Sequence, residues 1–388
     1  MSTTVSSSLA AASPNANSIQ WGIVGLGDVC QVKSGPAFYK CQGSSLVAVM
    51  RRTPGKARDF ASHVPGGQCV GYENLDEFLH HPGLEAVYVS TRPGTHLEIC
   101  KLVAQAGKAC YVEKPVGRCA QETKEIKAMF DQAGLKLYTA YISRAYERTQ
   151  VVRKLLEEGV IGSCIQRVSY KLVGSGGARD MDGDLPWRLD ASQSGGGLIM
   201  DVGCHVLDRI DYVCGPLINV KGHAENRHSP KIPVEDFIHL TAEIGPSSWS
   251  ALAVDDNATV ECTWNFSTQV EEPMDELKIV GPKGSLQMAG MSPTGPIQVF
   301  DEKGDLKQEF EFEMPQHTAR RLIQEVTNDL RNVDEDKREM NSNVLSFGEN
   351  SIRTQEVIDT ALSSYYGGRE SGFWERQEWP GRPKESFK

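Results

Sequence analysis

Three short groups of residues could carry chemistry. The first is Glu113-Lys114-Pro115, directly after the apolar run Ala109 to Val112. If that run is a strand, it delivers the lysine to the carboxyl edge of a sheet, where open α/β sheets bind their ligands. An ammonium there can polarise a carbonyl, steady a developing alkoxide beside a hydride-transfer centre, or hold a substrate hydroxyl. The second group is Gly195-Gly196-Gly197 followed by Asp201 and His205. On a helix from Leu198 to Tyr212, that carboxylate and imidazole stand four residues apart on one face. His205 could give or take a proton while Asp201 binds a hydroxyl or orients the ring, with the glycines letting substrate approach.

The third group, Gly25-Leu26-Gly27-Asp28-Val29, follows the partly apolar run Ile19 to Val24. Glycine allows a tight turn and a close approach to a pyrophosphate at the start of a helix. The third small position of such a turn falls on Cys30. A plain turn would fit the glycines equally well; their place in the first strand-to-helix turn favours a dinucleotide. At the end of the second apolar run, Leu46 to Met50, stand Arg51 and Arg52 with Thr53, where an NAD enzyme usually places an acidic residue. Two guanidinium groups suit a 2'-phosphate, so NADP(H) is the expected cofactor, with NAD(H) also usable. The alternative is a solvated basic loop.

The elements that must position these groups alternate. Strands at 19–24, 46–50, 86–90, 109–112 and 136–140 are interleaved with helical stretches at 32–41, 55–62, 75–80, 96–106 and 121–132. That rhythm predicts a doubly wound parallel sheet over residues 19–145. Beyond it come a helix at 149–158 and β-branched runs at 165–173, 237–244, 259–268, 277–280 and 297–300. Late helices follow at 318–332 and 349–366. Residues 146–388 therefore read as an α+β domain with a largely antiparallel sheet and helices on one face. The loop 174–194, rich in Gly and Asp, is placed to shape a substrate pocket. Residues 1–18 carry too little apolar surface to fold and read as a disordered tail.

These motifs, in this order and spacing, resemble the glucose-fructose oxidoreductase, inositol dehydrogenase and rhizopine-catabolism (Gfo/Idh/MocA) family. The resemblance runs over nearly the whole chain from residue 19. It takes in the segment Thr91-Arg92-Pro93-Gly94-Thr95-His96, similar to the family's Thr-Pro-x-x-x-His with an arginine inserted. Pro186-Trp187-Arg188 is similar to its Trp-Arg pair near the nicotinamide, and Tyr141 and Arg144 stand where the family often places active-site residues. The resemblance implies a catalytic set of Lys114, Asp201 and His205, which with Tyr141 also contact substrate. It implies cofactor contacts from Gly25, Leu26, Gly27, Asp28, Val29, Arg51, Arg52, Thr91, Pro93, His96, Glu113, Lys114, Arg144, Trp187 and Arg188. It further implies a sugar or cyclic polyol as substrate, no metal, and a homodimer or homotetramer formed through the open sheet. Val32 to Phe38 and Met50 to Arg52 are similar to NADP-dependent sugar reductases of the 1,5-anhydrofructose reductase type. A dehydrogenase of non-sugar diols and a catalytically silent cofactor-binding regulator are the rival readings.

Composition closes off other classes. The chain has 388 residues, 39% hydrophobic and 24% charged, which argues against disorder or coiled coil. Its 41 Lys and Arg against 51 Asp and Glu leave a net charge of -10, unfavourable for nucleic acid or an anionic membrane. Ten scattered cysteines show neither C-x-x-C nor zinc-like spacing and read as reduced thiols in a cytoplasmic protein.

Overall fold

A computed structural model describes residues 18–174, 185–227, 232–266, 270, 272–370 and 372–382. The expectations for residues 1–17, for 175–184 of the Gly/Asp-rich loop, and for the end of the run 259–268 lie outside these residues.

The first domain runs β1 (Ile19–Val24), α1 (Ala37–Lys40), β2 (Ser44–Met50), α2 (Lys56–Ser62), β3 (Val70–Tyr72), α3 (Leu75–Leu79), β4 (Ala86–Val89), α4 (His96–Gln105), β5 (Ala109–Val112), α5 (Ala120–Gln132) and β6 (Leu137–Thr139). Its strands are parallel in the order β3-β2-β1-β4-β5-β6. Winding reverses between β1 and β4, which opens a crevice at their carboxyl ends. Strand β4 shows why these runs look uniformly apolar: Ala86 and Tyr88 enter one core cluster, Val87 and Val89 the other, so both faces are buried. The helix expected over 32–41 is split. A π-turn covers Cys30–Ser34 and α1 begins only after Gly35 and Pro36, since proline cannot sit inside a helix without losing a bond.

The second domain comprises α6 (Glu147–Glu157), β7 (Ile165–Val173), α7 (Ala191–Ser194), α8 (Cys204–Cys214), β8 (Leu217–Glu225), β9 (Phe237–Ile244), β10 (Val254–Asn265), β11 (Met274–Gly281), β12 (Gly284–Met288), β13 (Ile297–Asp301), β14 (Leu306–Phe310), α9 (Arg320–Leu330) and α10 (Gly348–Tyr366). Eight strands form one sheet in the order β14-β13-β12-β11-β7-β10-β9-β8. It is antiparallel except that β7 and β10 run parallel. Along β7 and β10 the residues Val168, Tyr170, Leu172, Val260, Cys262 and Trp264 are buried, while Arg167, Lys171, Thr259 and Glu261 are exposed. This is the period-two pattern of a sheet covered on one side.

The last helices return to the first domain. Gln324 of α9 exchanges hydrogen bonds with the backbone of Gln42, and Lys136 pairs with Asp329 at 2.7 Å. Helix α10 touches both domains: Lys127 of α5 meets Glu349 at 2.9 Å, and Ala224 of β8 donates to Ser364 Oγ at 2.8 Å. Among the described residues no helix is long and apolar enough to cross a membrane.

Candidate active site

Lys114 lies two residues beyond β5, at the carboxyl edge of the parallel sheet, with a cis bond to Pro115. Its Nζ donates to Asp201 Oδ1 at 2.8 Å and to the Asp201 carbonyl at 2.6 Å. An ammonium has three N–H donors, so one remains for a ligand. Burial alone would lower the lysine's pKa, but Asp201, Cys204 and Glu113 outweigh it and hold the group above its ordinary value. Glu113 is tied inward, accepting from the Tyr88 hydroxyl at 2.5 Å; that hydroxyl also reaches Ser34 at 3.0 Å, in the π-turn after the glycines.

Asp201 sits in a second π-turn, Ile199–Gly203, which leads into α8. The widened turn points both its carbonyl and its carboxylate at Lys114. Its other oxygen accepts from Arg188 Nε at 2.8 Å. Burial would raise this carboxyl, but Lys114 and Arg188 keep it well below the usual range. Asp201 therefore does not orient His205, one of the two roles expected of it: among the described residues no hydrogen bond joins them, because both carboxylate oxygens serve cations.

The His205 imidazole is depressed well below its ordinary pKa, first by burial and then by the Lys114 charge, and is neutral at pH 7. Its Nδ1 is buried with no protein partner. Tyr141, expected at the substrate, is 1% exposed and meets the His205 ring edge-on at 6.2 Å. Its ring edge is placed to position the imidazole. The glycines also serve a different end. Residues 195–197 are buried, Gly197 N–H donates to Glu235 at 2.8 Å, and a Cβ on Gly197 would stand 2.3 Å from the Glu235 carbonyl. Close packing, not access for substrate, requires glycine there.

The glycine turn after β1 is tight and open to solvent. Gly25 has φ of +94°, and a Cβ on it would lie 2.4 Å from the Ser90 carbonyl across the β1–β4 crevice. Gly27, Asp28 and Val29 are exposed, and Gly27 has open space where a side chain would be. Cys30 is fully buried, its thiol pushed up to about 12 by burial and by Glu113. Arg51 hydrogen-bonds the Leu26 carbonyl, so its guanidinium stands beside the turn. Beyond it a cavity of about 320 Å³ is lined by residues including Arg51, Lys56, His63 and Asp59. Lys56 went unnoticed in the sequence, although it opens α2 four residues after Arg52. This cavity beside an exposed glycine turn fits a dinucleotide.

Trp187 and Arg188 stand at the same edge, with the Arg188 guanidinium 4.4 Å and that of Arg92 5.9 Å from the indole centroid. Thr91 is half-buried and Pro93 buried. Two expected cofactor residues are elsewhere. His96 is fully buried, its ring nitrogens 3.1 to 3.2 Å from the carbonyls of Thr91, Pro115 and Val116. It braces the two loops that carry Thr91 and Lys114. Arg144 is 5% exposed and bound to Asp208 through Nε and Nη2, at 2.9 and 2.7 Å. A guanidinium spent on a buried carboxylate is not available to a cofactor. Among the described residues no cluster of ligating side chains could hold a metal ion.

Residues 19–141 match the family model described as the oxidoreductase family with an NAD-binding Rossmann fold, and residues 149–287 match the GFO/IDH/MocA C-terminal domain. The chain is 28% identical over 309 residues to Oxidoreductase P35 of Formosa agariphila, a match spanning 79% of this chain and 89% of that protein. It is 26% identical to 1,5-anhydro-D-fructose reductase of Ensifer adhaerens, over 50% of this chain and 56% of that protein. The solved structure of aldose-aldose oxidoreductase from Caulobacter crescentus, complexed with glycerol, shares the fold with a TM-score of 0.71. At 22% identity it covers 89% of this chain and 97% of its own. With both domains matched in sequence and the crevice built as described, the protein belongs to the Gfo/Idh/MocA family of oxidoreductases.

Proposed function

We propose that this enzyme is an NADP(H)-preferring oxidoreductase acting on a hydroxyl- or carbonyl-bearing carbon of a sugar or cyclic polyol. The observation that carries the reading is Lys114, held by Asp201 with one N–H to spare at the mouth of the dinucleotide crevice. Bound NADPH would supply the hydride. Lys114 donates to the substrate oxygen, steadying the charge that forms as the carbonyl carbon is reduced, and the alkoxide takes up one proton from the Lys114–His205 pair. In the oxidative direction the neutral His205 accepts the hydroxyl proton. A sugar or polyol is supported by the named activities of the anhydrofructose and aldose relatives. The uncovered face of the eight-stranded sheet is the surface that a homodimer or homotetramer would share.

The test is NADPH and NADH consumption against a panel of keto- and dicarbonyl sugars, with polyol oxidation in reverse. Saturable NADPH binding with no turnover in either direction would favour the regulator instead. Arg51→Ser/Arg52→Ser is expected to weaken NADPH binding by roughly 10- to 100-fold and leave NADH nearly unchanged, the loss of one or two charge-assisted bonds. Unaltered NADPH affinity by fluorescence titration would remove the 2'-phosphate assignment.

His205 also predicts a pH profile. Its depressed pKa keeps the imidazole in the proton-accepting form through neutrality, so kcat/KM for polyol oxidation should decline only below pH 6.5. An acid limb centred above 6.5 in the wild type, absent from His205→Gln, would show that the ring is charged near neutrality.

A further inference from the structure

Two buried arginines beside this site are supplied with too few acceptors. Arg148, in the first turn of α6, is 1% exposed, and Arg209, in α8, is 3% exposed. A guanidinium offers five N–H donors. Arg209 gives one to the Gly290 carbonyl at 2.5 Å and Arg148 one to the Thr294 carbonyl, both in the loop between β12 and β13. Arg209 Nε and Arg148 Nη2 are buried with no protein partner. Among the described residues neither arginine has a carboxylate within ion-pair distance. The nearby carboxylate that both feel is Asp275, whose oxygens accept from the Tyr170 hydroxyl and the amides of Gly290 and Met291. Holding that loop would need neither two charges nor their burial together. Burial depresses both guanidinium groups and the charge of Arg209 further depresses Arg148, a cost that an anion between them would offset.

The pair adjoins the reaction centre. Arg209 follows His205 by one helical turn on the same face of α8, and its charge is felt at that imidazole. Tyr146, at the start of α6, lies within reach of the charges of Arg209, Lys114 and Arg148 together. Lys33, exposed in the turn after the glycines, also acts on His205. The imidazole thus faces three cations and one carboxylate, and that carboxylate is already shared by Lys114 and Arg188. In a chain of net charge -10, this is a local reversal of sign.

We propose that Arg148 and Arg209 form an anion subsite beside Lys114 and His205, and that the substrate is a sugar or polyol carrying a carboxylate or phosphate away from its reacting carbon. The proposal rests on the oxidoreductase reading above for the word substrate. The subsite itself is tested by binding. The full-length protein, saturated with NADP⁺, is titrated calorimetrically with D-glucuronate, D-glucose 6-phosphate and D-glucose. At least one anion should bind roughly 10- to 100-fold more tightly than glucose, the worth of one charged hydrogen bond or more. Which anion does so separates a carboxylate from a phosphate. Arg209→Met and Arg148→Met should each abolish the preference while NADPH affinity stays at the wild-type level. Should either Met variant fail to fold, Arg209→Lys and Arg148→Lys keep the charge but lose the fork, and should reduce the preference without abolishing it. Glucose binding as tightly as both anions, or a preference that survives the substitutions, overturns the subsite. Anion-selective binding without turnover would keep the subsite and remove the hydride transfer. Turnover without anion preference would do the reverse.

Discussion

Lys114→Met is expected to lower kcat by roughly 10²- to 10⁴-fold, the range for losing a positioned proton donor and an electrostatic clamp together. NADPH affinity should change little, because the glycine turn after β1 and the cavity between Arg51, after β2, and α2 lie apart from Lys114, beyond β5. The fold should also survive. Lys114 is buried mainly under its own ion pair, and Asp201 keeps Arg188 at 2.8 Å when the lysine is gone. Single-turnover reduction with NADPH, run beside fluorescence titration of NADPH, separates the chemical step from binding. A variant that turns over like the wild type takes Lys114 out of the mechanism. Asp201→Asn sharpens the test. The lysine would still donate to the residue 201 carbonyl, so it stays in place, but it loses the charge that holds its pKa up. Reduction should then fail at a lower alkaline pH than in the wild type.

The sequence made the parallel sheet legible because each of its main strands is buried on both faces. Runs such as Ala86 to Val89 and Ala109 to Val112 have little polar residue to blur their limits. Four strands were missed: Gly284–Met288 is short though nearly all buried, and the other three lack that property. Val70–Tyr72 is three residues long, and Leu306–Phe310 is an edge strand exposed along most of its length. Leu217–Glu225 mixes polar and apolar residues because one face is open and its register shifts against β9. The parallel pairing of β7 with β10 depends on a crossover that no local pattern records. In the site, the lysine, aspartate and histidine stood out through their places relative to strand ends and glycines. What could not be read was which polar residues are consumed by others. Asp208 lies 64 residues from Arg144, and Asp275 lies 127 from Arg148, so a structural arginine and an underused one look alike until the chain is folded. The triple glycine was read as an opening because its true neighbour, Glu235, is 38 residues away.

Arg144→Met tests that distinction, and it should cost about 3 to 5 kcal/mol of stability. Asp208 has no exposed surface, and after the substitution Asn350 Nδ2, at 3.2 Å, is the remaining side-chain donor seen on it. Asp211 would keep Arg353 at 2.8 Å, so the stranded charge is that of Asp208 alone. Burial already holds the Asp208 carboxyl above its ordinary value against the pull of Arg144. Without the guanidinium it rises further and takes a proton at a pH where the unfolded chain is ionised. A carboxyl raised in the folded state is favourable in acid and loses that advantage as pH climbs through the unfolded value, so the deficit should be small near pH 4 and grow towards pH 8. Urea unfolding at the two pH values measures it, and Arg144→Met/Asp208→Leu should recover part of the loss by removing both charges. The cofactor decides between the two roles. Where the protein remains folded, Arg144→Met should bind NADPH as the wild type does, because its guanidinium is spent on holding α8 to the end of the dinucleotide domain. A weakened NADPH complex with undiminished stability would return Arg144 to the cofactor site.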